Sequence, residues 1–185
     1  MIESSLKAWS WALVCASGVM ALDQITKQAA IASVDPGHPH QIIFGIDLTN
    51  VRNRGVAFGL LGGGGDLVVI VTVATIAFLL VYFAFHATRP GLWLVVGLVV
   101  GGAFGNLADR VRIGAAIDFI DPPVWPAFNL ADVAIVGGVA WLALMLLSPG
   151  LQAQAEAEAR SQAPPEAPPE APPGAEPRAE HDVAR

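Results

Sequence analysis

Ten polar residues stand at the ends of the longest apolar stretches of this sequence, or in the connections beside them. This set, the polar cluster, consists of Asp23, Lys27, Asn53, Arg54, Asn106, Asp109, Arg110, Asp118, Asn129 and Asp132. Ionisable groups beside membrane-length apolar segments are costly and generally mark a functional site. We therefore expect the polar cluster to meet near one membrane face and to carry the chemistry.

Two members of the polar cluster, Asp118 and Asp132, have the chemistry of an acid–base pair. Asp118 lies in an apolar segment, where burial would raise its pKa by disfavouring the anion. Asp132 opens the last apolar run, where a helix N-terminus favours the anion. Within hydrogen-bonding reach, the two carboxyl groups would share one proton and could cleave an amide through an activated water.

The spacing of the two aspartates by itself slightly favours simpler roles. Asp132 could serve only as a helix cap, because aspartates are frequent in that position. Asp118 could be only a loop anion that pairs with Arg110 or Arg112. From the spacing alone, both alternatives stay open.

A metal-dependent or nucleophilic mechanism fits the sequence less well. The four histidines stand away from the two aspartates, at His38, His40, His86 and His181. Carboxylates and asparagines would suit only a hard cation such as Mg²⁺, and a serine or cysteine nucleophile would lack its base. We expect no metal and no other cofactor.

The composition excludes an ordinary soluble enzyme. Of 185 residues, 54% are hydrophobic and 14% are charged, whereas a soluble domain has about 25% charged residues. A transmembrane helix needs about 20 mainly apolar residues, and four stretches approach that length, at about 9–32, 67–85, 92–108 and 131–147. Residues 1–148 are therefore predicted to be an all-α polytopic membrane domain.

The first apolar run has a second interpretation, a secretory signal peptide. We disfavour it because Lys7 alone supplies the positive start and three further spans follow. Cys15, the one cysteine, does not fit a lipoprotein cleavage site because Val14 before it is not small. A single cysteine also excludes a disulfide framework.

Four spans put both termini on one side of the membrane and two long connections, about 33–66 and 111–130, on the other. Six cations lie beside the spans, and they are divided between the two sides of the membrane. Lys7 and Arg89 stand with the termini, and the other side holds Arg52, Arg54, Arg110 and Arg112. Taken alone, the positive-inside bias would put the long connections in the cytoplasm.

Glycines, which have no side chain, are grouped at two places in the sequence. Gly101, Gly102 and Gly105 lie on the third span and allow close approach of another helix, an interpretation we favour over direct contact with a substrate. The run of four glycines at 62–65 predicts either a flexible joint or a plain linker.

Residues 149–185 differ from the rest of the chain. They hold eight of the fourteen prolines, with seven acidic and three basic residues in a Pro/Ala/Glu-rich pattern. Such a segment buries too little apolar surface to offset its ordering entropy. We predict a disordered tail that carries no chemistry.

Four short motifs follow one another along the chain. They are LDQITK at 22–27, NRGVAFG at 53–59, GNLADRVRIGAAIDFI at 105–120 and PAFNLADVAI at 126–135. In this order and at one membrane depth, they resemble the motifs of the prolipoprotein signal peptidases, or signal peptidase II, of bacterial inner membranes. Together with the four spans, the resemblance covers nearly all of residues 9–147.

The resemblance implies an aspartic endopeptidase without a cofactor. It would remove signal peptides from prolipoproteins by cutting on the N-terminal side of a diacylglyceryl-modified cysteine, with Asp118 and Asp132 as the catalytic pair. Other residues would bind the substrate or support the pair, namely Asp23, Lys27, Asn53, Gly55, Asn106, Asp109, Arg110 and Asn129. The glycine-rich face of the third span would give the acyl chains room.

The resemblance also implies a fold and a location. Four transmembrane helices would cross the bacterial inner (plasma) membrane, with a small extracytoplasmic β-rich subdomain over the site and with cytoplasmic termini and tail. We follow it over the cation count because the arginines lie inside or beside its motifs. The expected partners are lipid-modified prolipoproteins and membrane lipids, not nucleic acid, and the expected state is a monomer.

Three rival functions have distinct signatures. A coupled transporter using Asp23, Lys27 and Asp109 as a charge relay would give flux and no peptide product. A non-catalytic membrane subunit would be expected to lack one of the two aspartates, and both are present. A Mg²⁺-dependent lipid phosphatase would lose activity in EDTA.

Overall fold

The computed structural model describes residues 2–55 and 64–147. Along the chain the elements are α1 (Ile2–Ser33), β1 (His40–Ile43), β2 (Ile46–Asn53), α2 (Gly64–His86), α3 (Leu92–Ile113), β3 (Ala116–Asp121) and α4 (Leu130–Leu147). All four helices are long and apolar enough to cross a membrane. The predicted disordered tail lies outside the described residues.

Helix α3 is the centre of the bundle and packs against the other three helices. In its most apolar stretch 67% of the residues are buried, compared with 11–17% in the others. A Cβ at Gly101 would lie 2.6 Å from the carbonyl oxygen of Ala16 in α1, and one at Gly102 would lie 2.5 Å from that of Ala131 in α4. Small residues therefore let three backbones approach closely, as is common between helices in lipid.

This packing corrects one expectation from the resemblance. Gly101 and Gly102 face neighbouring helices, and Gly105 faces the carboxylate of Asp23. The glycine-rich face of α3 is filled by protein and leaves no room for acyl chains. The simpler interpretation, close helix packing, is confirmed.

The helices extend beyond the predicted spans. Helix α1 runs through Asp23 and Lys27 as predicted but begins earlier, at Ile2, and α3 continues past residue 108 to Ile113. There Gly114, with φ of 75°, ends the helix and donates its N–H to the carbonyl of Arg110 at 2.9 Å. Helix α2 begins at Gly64, so the second half of the glycine run is helical, and residues 62–63 lie outside the described part of the chain.

The two long connections build one antiparallel sheet in the order β1-β2-β3. Val51 of β2 stands opposite Asp118 of β3. After β3 the chain turns back through three prolines, and Phe128 pairs with Ile120. This turn brings the start of α4 beside β3. The predicted combination of four apolar helices with a small β-rich subdomain is confirmed.

Candidate active site

A buried ion cluster joins α1 to α3. The ammonium of Lys27 lies 2.8 Å from Asp23 Oδ2 and 2.7 Å from Asp109 Oδ2, and it donates to Asn106 Oδ1 at 2.8 Å. The three charged side chains are fully buried. Each of the three ammonium protons thus has an acceptor, which a charge needs when it is away from water. Asn106 and Asp109 are three residues apart and therefore share one helix face, where both meet Lys27.

The carboxylates of this cluster also hold the two segments that follow α3. Asp23 Oδ1 accepts the N–H of Ala131 at 2.9 Å, in the first turn of α4, where backbone donors have no partner inside their own helix. Asp109 Oδ2 accepts the N–H of Ile117 at 3.4 Å, next to Asp118. The ion cluster therefore fixes the starts of both β3 and α4.

Gln24 belongs to the ion cluster, although the sequence analysis did not select it. Its Nε2 donates to Asp109 Oδ1 at 3.1 Å, to the Gly105 carbonyl at 3.2 Å and to Asp23 Oδ2 at 3.3 Å. The signal was its place between Asp23 and Lys27 in the motif LDQITK. Its role depends on partners from α3, which the sequence alone does not reveal.

Two asparagines link the carboxyl groups of Asp118 and Asp132. Asn129 Nδ2 donates to Asp118 Oδ1 at 2.7 Å and to Asn106 Oδ1 at 2.9 Å. Asn106 Nδ2 donates in turn to Asp132 Oδ1 at 2.9 Å. Because Lys27 can only donate, it holds the oxygen of Asn106 toward itself and the nitrogen toward Asp132. Among the described residues, no hydrogen bond joins the two carboxylates directly.

Asn129 caps α4, and Asp132, the third residue of that helix, takes part in the cap with only part of its bonding capacity. Its N–H donates to Asn129 Oδ1 at 3.0 Å, and its Oδ2 accepts the N–H of Asn129 at 3.2 Å. This reciprocal pair is a capping box. The other oxygen, Oδ1, faces Asn106, and the side chain is only half-buried. The cap role predicted for Asp132 thus belongs to Asn129, and Asp132 itself keeps a position open to a reactant.

Asp118 is only 2% exposed. A residue on the neighbouring strand holds its carboxyl group. Asn53, diagonal to it on the β2–β3 pair, donates Nδ2 to Asp118 Oδ2 at 2.9 Å. Asn53 Oδ1 accepts the N–H of Gly55 at 2.8 Å, in a turn where Gly55 has φ of 78°. The polar residues Asn53 and Asn129 thus bind one carboxyl oxygen each.

Burial raises the pKa of Asp118 from 3.8 to about 6. The hydrogen bond from Asn53 opposes this rise, and the negative charge of Asp132 adds to it. The direction predicted from the apolar sequence around Asp118 is confirmed.

The alternative in which Asp118 pairs with an arginine is wrong. Arg112 lies 3.5 Å from Asp109 Oδ1, and Arg110 donates Nη1 to the Asn106 carbonyl at 3.4 Å. The Nε of Arg110 is buried without a partner among the described residues. Buried polar groups are normally bonded, so this guanidinium has capacity left for a ligand group.

Two clefts meet at Asp132. One, of about 260 Å³, opens between α2, α3 and α4, and its polar lining consists of Thr72, Thr75, Asn106, Arg110 and Asp132. The other, of about 440 Å³, follows the outer face of α4 and is lined by Trp125, Phe128, Asp132, Val133, Val136 and Gly137. Trp125 and Phe128 were not selected from the sequence, although large apolar residues beside Pro126 at the end of a span were a usable signal.

The arrangement can perform water-mediated hydrolysis. A buried carboxyl with a raised pKa stands near a half-exposed carboxylate, and such pairs can divide the acid and base roles. Within residues 2–55 and 64–147, no three His, Cys, Asp or Glu side chains are grouped to hold a metal ion. The site therefore offers two carboxyl groups that could exchange protons and, in Arg110, a cation that could donate hydrogen bonds to a ligand.

The chain matches known proteins over this same region. The family model for Signal peptidase (SPase) II matches residues 15–148. The lipoprotein signal peptidase of Halothermothrix orenii is 43% identical over 131 residues, covering 69% of this chain and 89% of its own. That of Pelotomaculum thermopropionicum is 46% identical over 132 residues, covering 70% and 87%. A bacterial membrane enzyme solved by the in meso method at 1.9 Å has a TM-score of 0.66 at 30% identity, covering 75% and 93%.

These matches and the four spans define the class, a membrane-embedded aspartic peptidase. The chain belongs to the signal peptidase II family, and its activity is that of a lipoprotein signal peptidase. The resemblance inferred from four motifs is thereby confirmed at the level of the family.

Replacing Lys27 by methionine should destabilise the fold by about 3–5 kcal/mol, because Asp23 and Asp109 would be left buried without their cation. Lys7→Met is the matched control, since it removes an exposed lysine from the same helix. Thermal unfolding of both variants in one detergent measures the difference. Equal unfolding temperatures for the two variants would contradict the structural role of the ion cluster.

The raised pKa of Asp118 predicts a pH dependence of stability. The folded protein binds a proton more tightly than the unfolded chain, so its free energy of unfolding should fall as pH rises from about 4 to about 6. The loss should be at most about 3 kcal/mol for a shift of this size. In Asp118→Asn this component is absent, so the variant should gain stability relative to the parent over that range. Parallel curves of unfolding temperature against pH would rule this out.

Proposed function

We propose that this enzyme cleaves prolipoproteins on the N-terminal side of a diacylglyceryl-modified cysteine, with Asp118 and Asp132 as the catalytic pair. The observation that carries the proposal is the contact of one residue, Asn129, with both carboxyl groups. The two clefts that meet at Asp132 support a substrate that combines a peptide with lipid chains. The family match supports the substrate class.

In the proposed reaction Asp132 is the base and Asp118 the acid. Asp132 removes a proton from a water molecule, and the water oxygen bonds to the scissile carbonyl carbon. Protonated Asp118 donates a hydrogen bond to the carbonyl oxygen. The carbon–nitrogen bond then breaks, and the proton taken from water passes to the leaving nitrogen. The products are a signal peptide with a new carboxyl group and a lipoprotein with a free N-terminal amine.

The remaining residues of the site have two proposed roles. Arg110 binds a carbonyl oxygen of the peptide through its Nε, which has no partner among the described residues. Asn53, Asn106 and Asn129 orient the two carboxyl groups through the bonds described above, and Gly55 orients Asn53. Asp23, Lys27 and Asp109 are too deeply buried to touch the substrate, and they support the site from behind.

We also propose that the site faces the extracytoplasmic side of the inner membrane, with both termini and the tail at 149–185 in the cytoplasm. Two of the four cations that oppose this orientation have contacts in the site that explain their position. Arg112 contacts Asp109 and Arg110 contacts Asn106, so both belong to the site. The enzyme is proposed to work as a monomer, because one chain supplies every group named above.

Asp118→Asn and Asp132→Asn should each reduce cleavage of a diacylglyceryl-prolipoprotein by about 10²- to 10⁴-fold, the usual contribution of general acid–base groups. Asp121→Asn is the matched control, because it changes a carboxylate on the same strand outside the proposed pair, and it should cleave normally. The assay follows release of the signal peptide in reconstituted membranes. Full cleavage by both variants would eliminate the proposed pair, and loss of cleavage in EDTA would favour a metal-dependent rival.

The orientation can be tested by labelling single cysteines from outside intact cells. In a Cys15→Ser background, His38→Cys marks the connection that precedes the sheet and Arg89→Cys marks the connection between α2 and α3. A membrane-impermeant maleimide should label His38→Cys before lysis and Arg89→Cys only after lysis. The reverse pattern would show that the positive-inside bias had been the correct guide.

A further inference from the structure

Three aromatic rings stack along α2 at intervals of about one turn. The ring centroids of Phe78 and Tyr82 are 6.5 Å apart with an interplanar angle of 20°, and those of Tyr82 and His86 are 4.3 Å apart with an angle of 18°. We call these three residues the aromatic ladder. Thr75, which lines the cleft at Asp132, precedes His86 by about 16 Å of helix. The ladder therefore ends at the face of the bundle that is remote from the proposed catalytic pair.

Hydrogen bonds orient the polar atoms of the ladder and leave part of their capacity unused. His86 Nδ1 lies 2.9 Å from the carbonyl oxygen of Tyr82. Because a carbonyl only accepts, Nδ1 is the donor, and Nε2 is left for another partner. Arg89 Nη1 donates to the hydroxyl oxygen of Tyr82 at 3.1 Å. The hydroxyl proton of Tyr82 has no acceptor among the described residues, so it is available to a ligand.

The positive charge of Arg89 has no carboxylate partner in the described part of the chain. The salt bridges there belong to Lys27 and Arg112. Backbone bonds close the turn that carries Arg89, because its N–H donates to the carbonyl of His86 at 3.0 Å and its carbonyl accepts the N–H at the start of α3 at 3.2 Å. The turn thus holds a guanidinium beside the Tyr82 hydroxyl. Two such donors suit the oxygens of a phosphate.

The groups along the ladder follow the same order as the parts of a phospholipid. Phe78 has no polar atom and is 71% exposed, Tyr82 ends in a hydroxyl, and the next turn carries imidazole and guanidinium groups. From Phe78 to His86 the helix rises about 12 Å, which is enough to pass from hydrocarbon into the headgroup layer. Trp141 of α4 lies at the same end, because a Cβ on Gly91 would be 3.2 Å from its Nε1. Tryptophan is enriched at that depth.

We propose that the aromatic ladder and Arg89 bind one anionic phospholipid, with its phosphate at the guanidinium and the Tyr82 hydroxyl and with an acyl chain along Phe78. Basic side chains at the ends of transmembrane helices are typical contacts of anionic headgroups. A zwitterionic headgroup would bring its own ammonium close to the guanidinium, whereas an anionic headgroup adds no second cation. The acidic segment 149–185 is a poorer candidate, because a charged peptide would not cover Phe78 at the depth of the hydrocarbon.

Binding at this position would support the helix that has the fewest neighbours. Helix α2 packs chiefly on α3, whereas α3 also packs on α1 and α4. A lipid held at the end of α2 would add a contact at the turn that joins α2 to α3. This role is independent of the substrate that the enzyme cleaves, because none of the groups involved belongs to the proposed site.

Native mass spectrometry can test the proposal on the full chain. The protein is incubated in a nonionic detergent with equal amounts of phosphatidylglycerol and phosphatidylethanolamine that have the same acyl chains, and the retained lipids are counted. Arg89→Gln removes the charge, and Tyr82→Phe independently removes the hydroxyl while it keeps the ring. Lys7→Gln is the matched control, since Lys7 is an exposed cation near Trp9, whose ring contacts Phe83 at the same end of the bundle.

The parent should retain one phosphatidylglycerol in about fivefold preference over phosphatidylethanolamine, which is the effect of roughly one basic residue at a membrane surface. Arg89→Gln should abolish most of this preference and Tyr82→Phe should weaken it, whereas Lys7→Gln should keep it. Equal retention of the two lipids by the parent would overturn the proposal, and so would an equal loss in Lys7→Gln and Arg89→Gln. Displacement of the lipid by millimolar inorganic phosphate would indicate a site for the free anion and would also overturn it.

Discussion

One buried ammonium group determines how the parts of this molecule fit together. Lys27 has no contact with solvent, and Asp23 and Asp109 lie within 2.8 Å of its nitrogen. Apolar helices alone could slide past one another at little cost, because lipid and leucine are equally apolar. A charge inside the bundle removes that freedom, since a small displacement would leave an ion without its partner. The close contact of Gly105 with Asp23 follows from the same requirement.

The ion cluster helps to orient the proposed catalytic pair through two asparagine amides whose own orientation is defined. Lys27 determines which way the amide of Asn106 points, and Asn106 then presents its nitrogen to Asp132. Asn129 receives its orientation from both sides, because its oxygen caps α4 and its nitrogen faces Asp118. Each such bond contributes only about 1 kcal/mol net. A buried amide with its oxygen and nitrogen exchanged would cost more, because both atoms would lose their partners. The network therefore contributes more to the choice of a single geometry than to the free energy of unfolding.

The sequence predicts the secondary-structure elements better than it predicts which side chains contact one another. The four helices follow from apolar runs, since the thickness of the bilayer sets one length for all of them. The third helix was ended too early because Asp109 counts against a span until its partner Lys27, on another helix, is known. Gln24 was missed for the same reason, because its role depends on three acceptors from two helices. The resemblance implied the β-rich subdomain, but the contact between Asn53 and Asp118 depends on a strand register that no local pattern specifies.

The two carboxyl groups of the proposed pair belong to different parts of the fold, the sheet and the helix bundle. The sheet must therefore be held in place relative to the bundle. Asp132 belongs to a helix that is long enough to span the membrane, whereas Asp118 belongs to a strand outside the bundle. A rigid shift of the sheet by one ångström would change the distance between the two carboxyl groups without breaking a single strand pair. Bonds at Ile117 and Phe128 tie β3 to the bundle at its inner edge. The far end of the sheet, at the β1–β2 turn, has no comparable bond to a helix among the described residues, so β3 carries most of the attachment. The geometry of the proposed reacting groups therefore depends on how firmly the sheet is tied to the bundle, because each of the two supplies one carboxyl group.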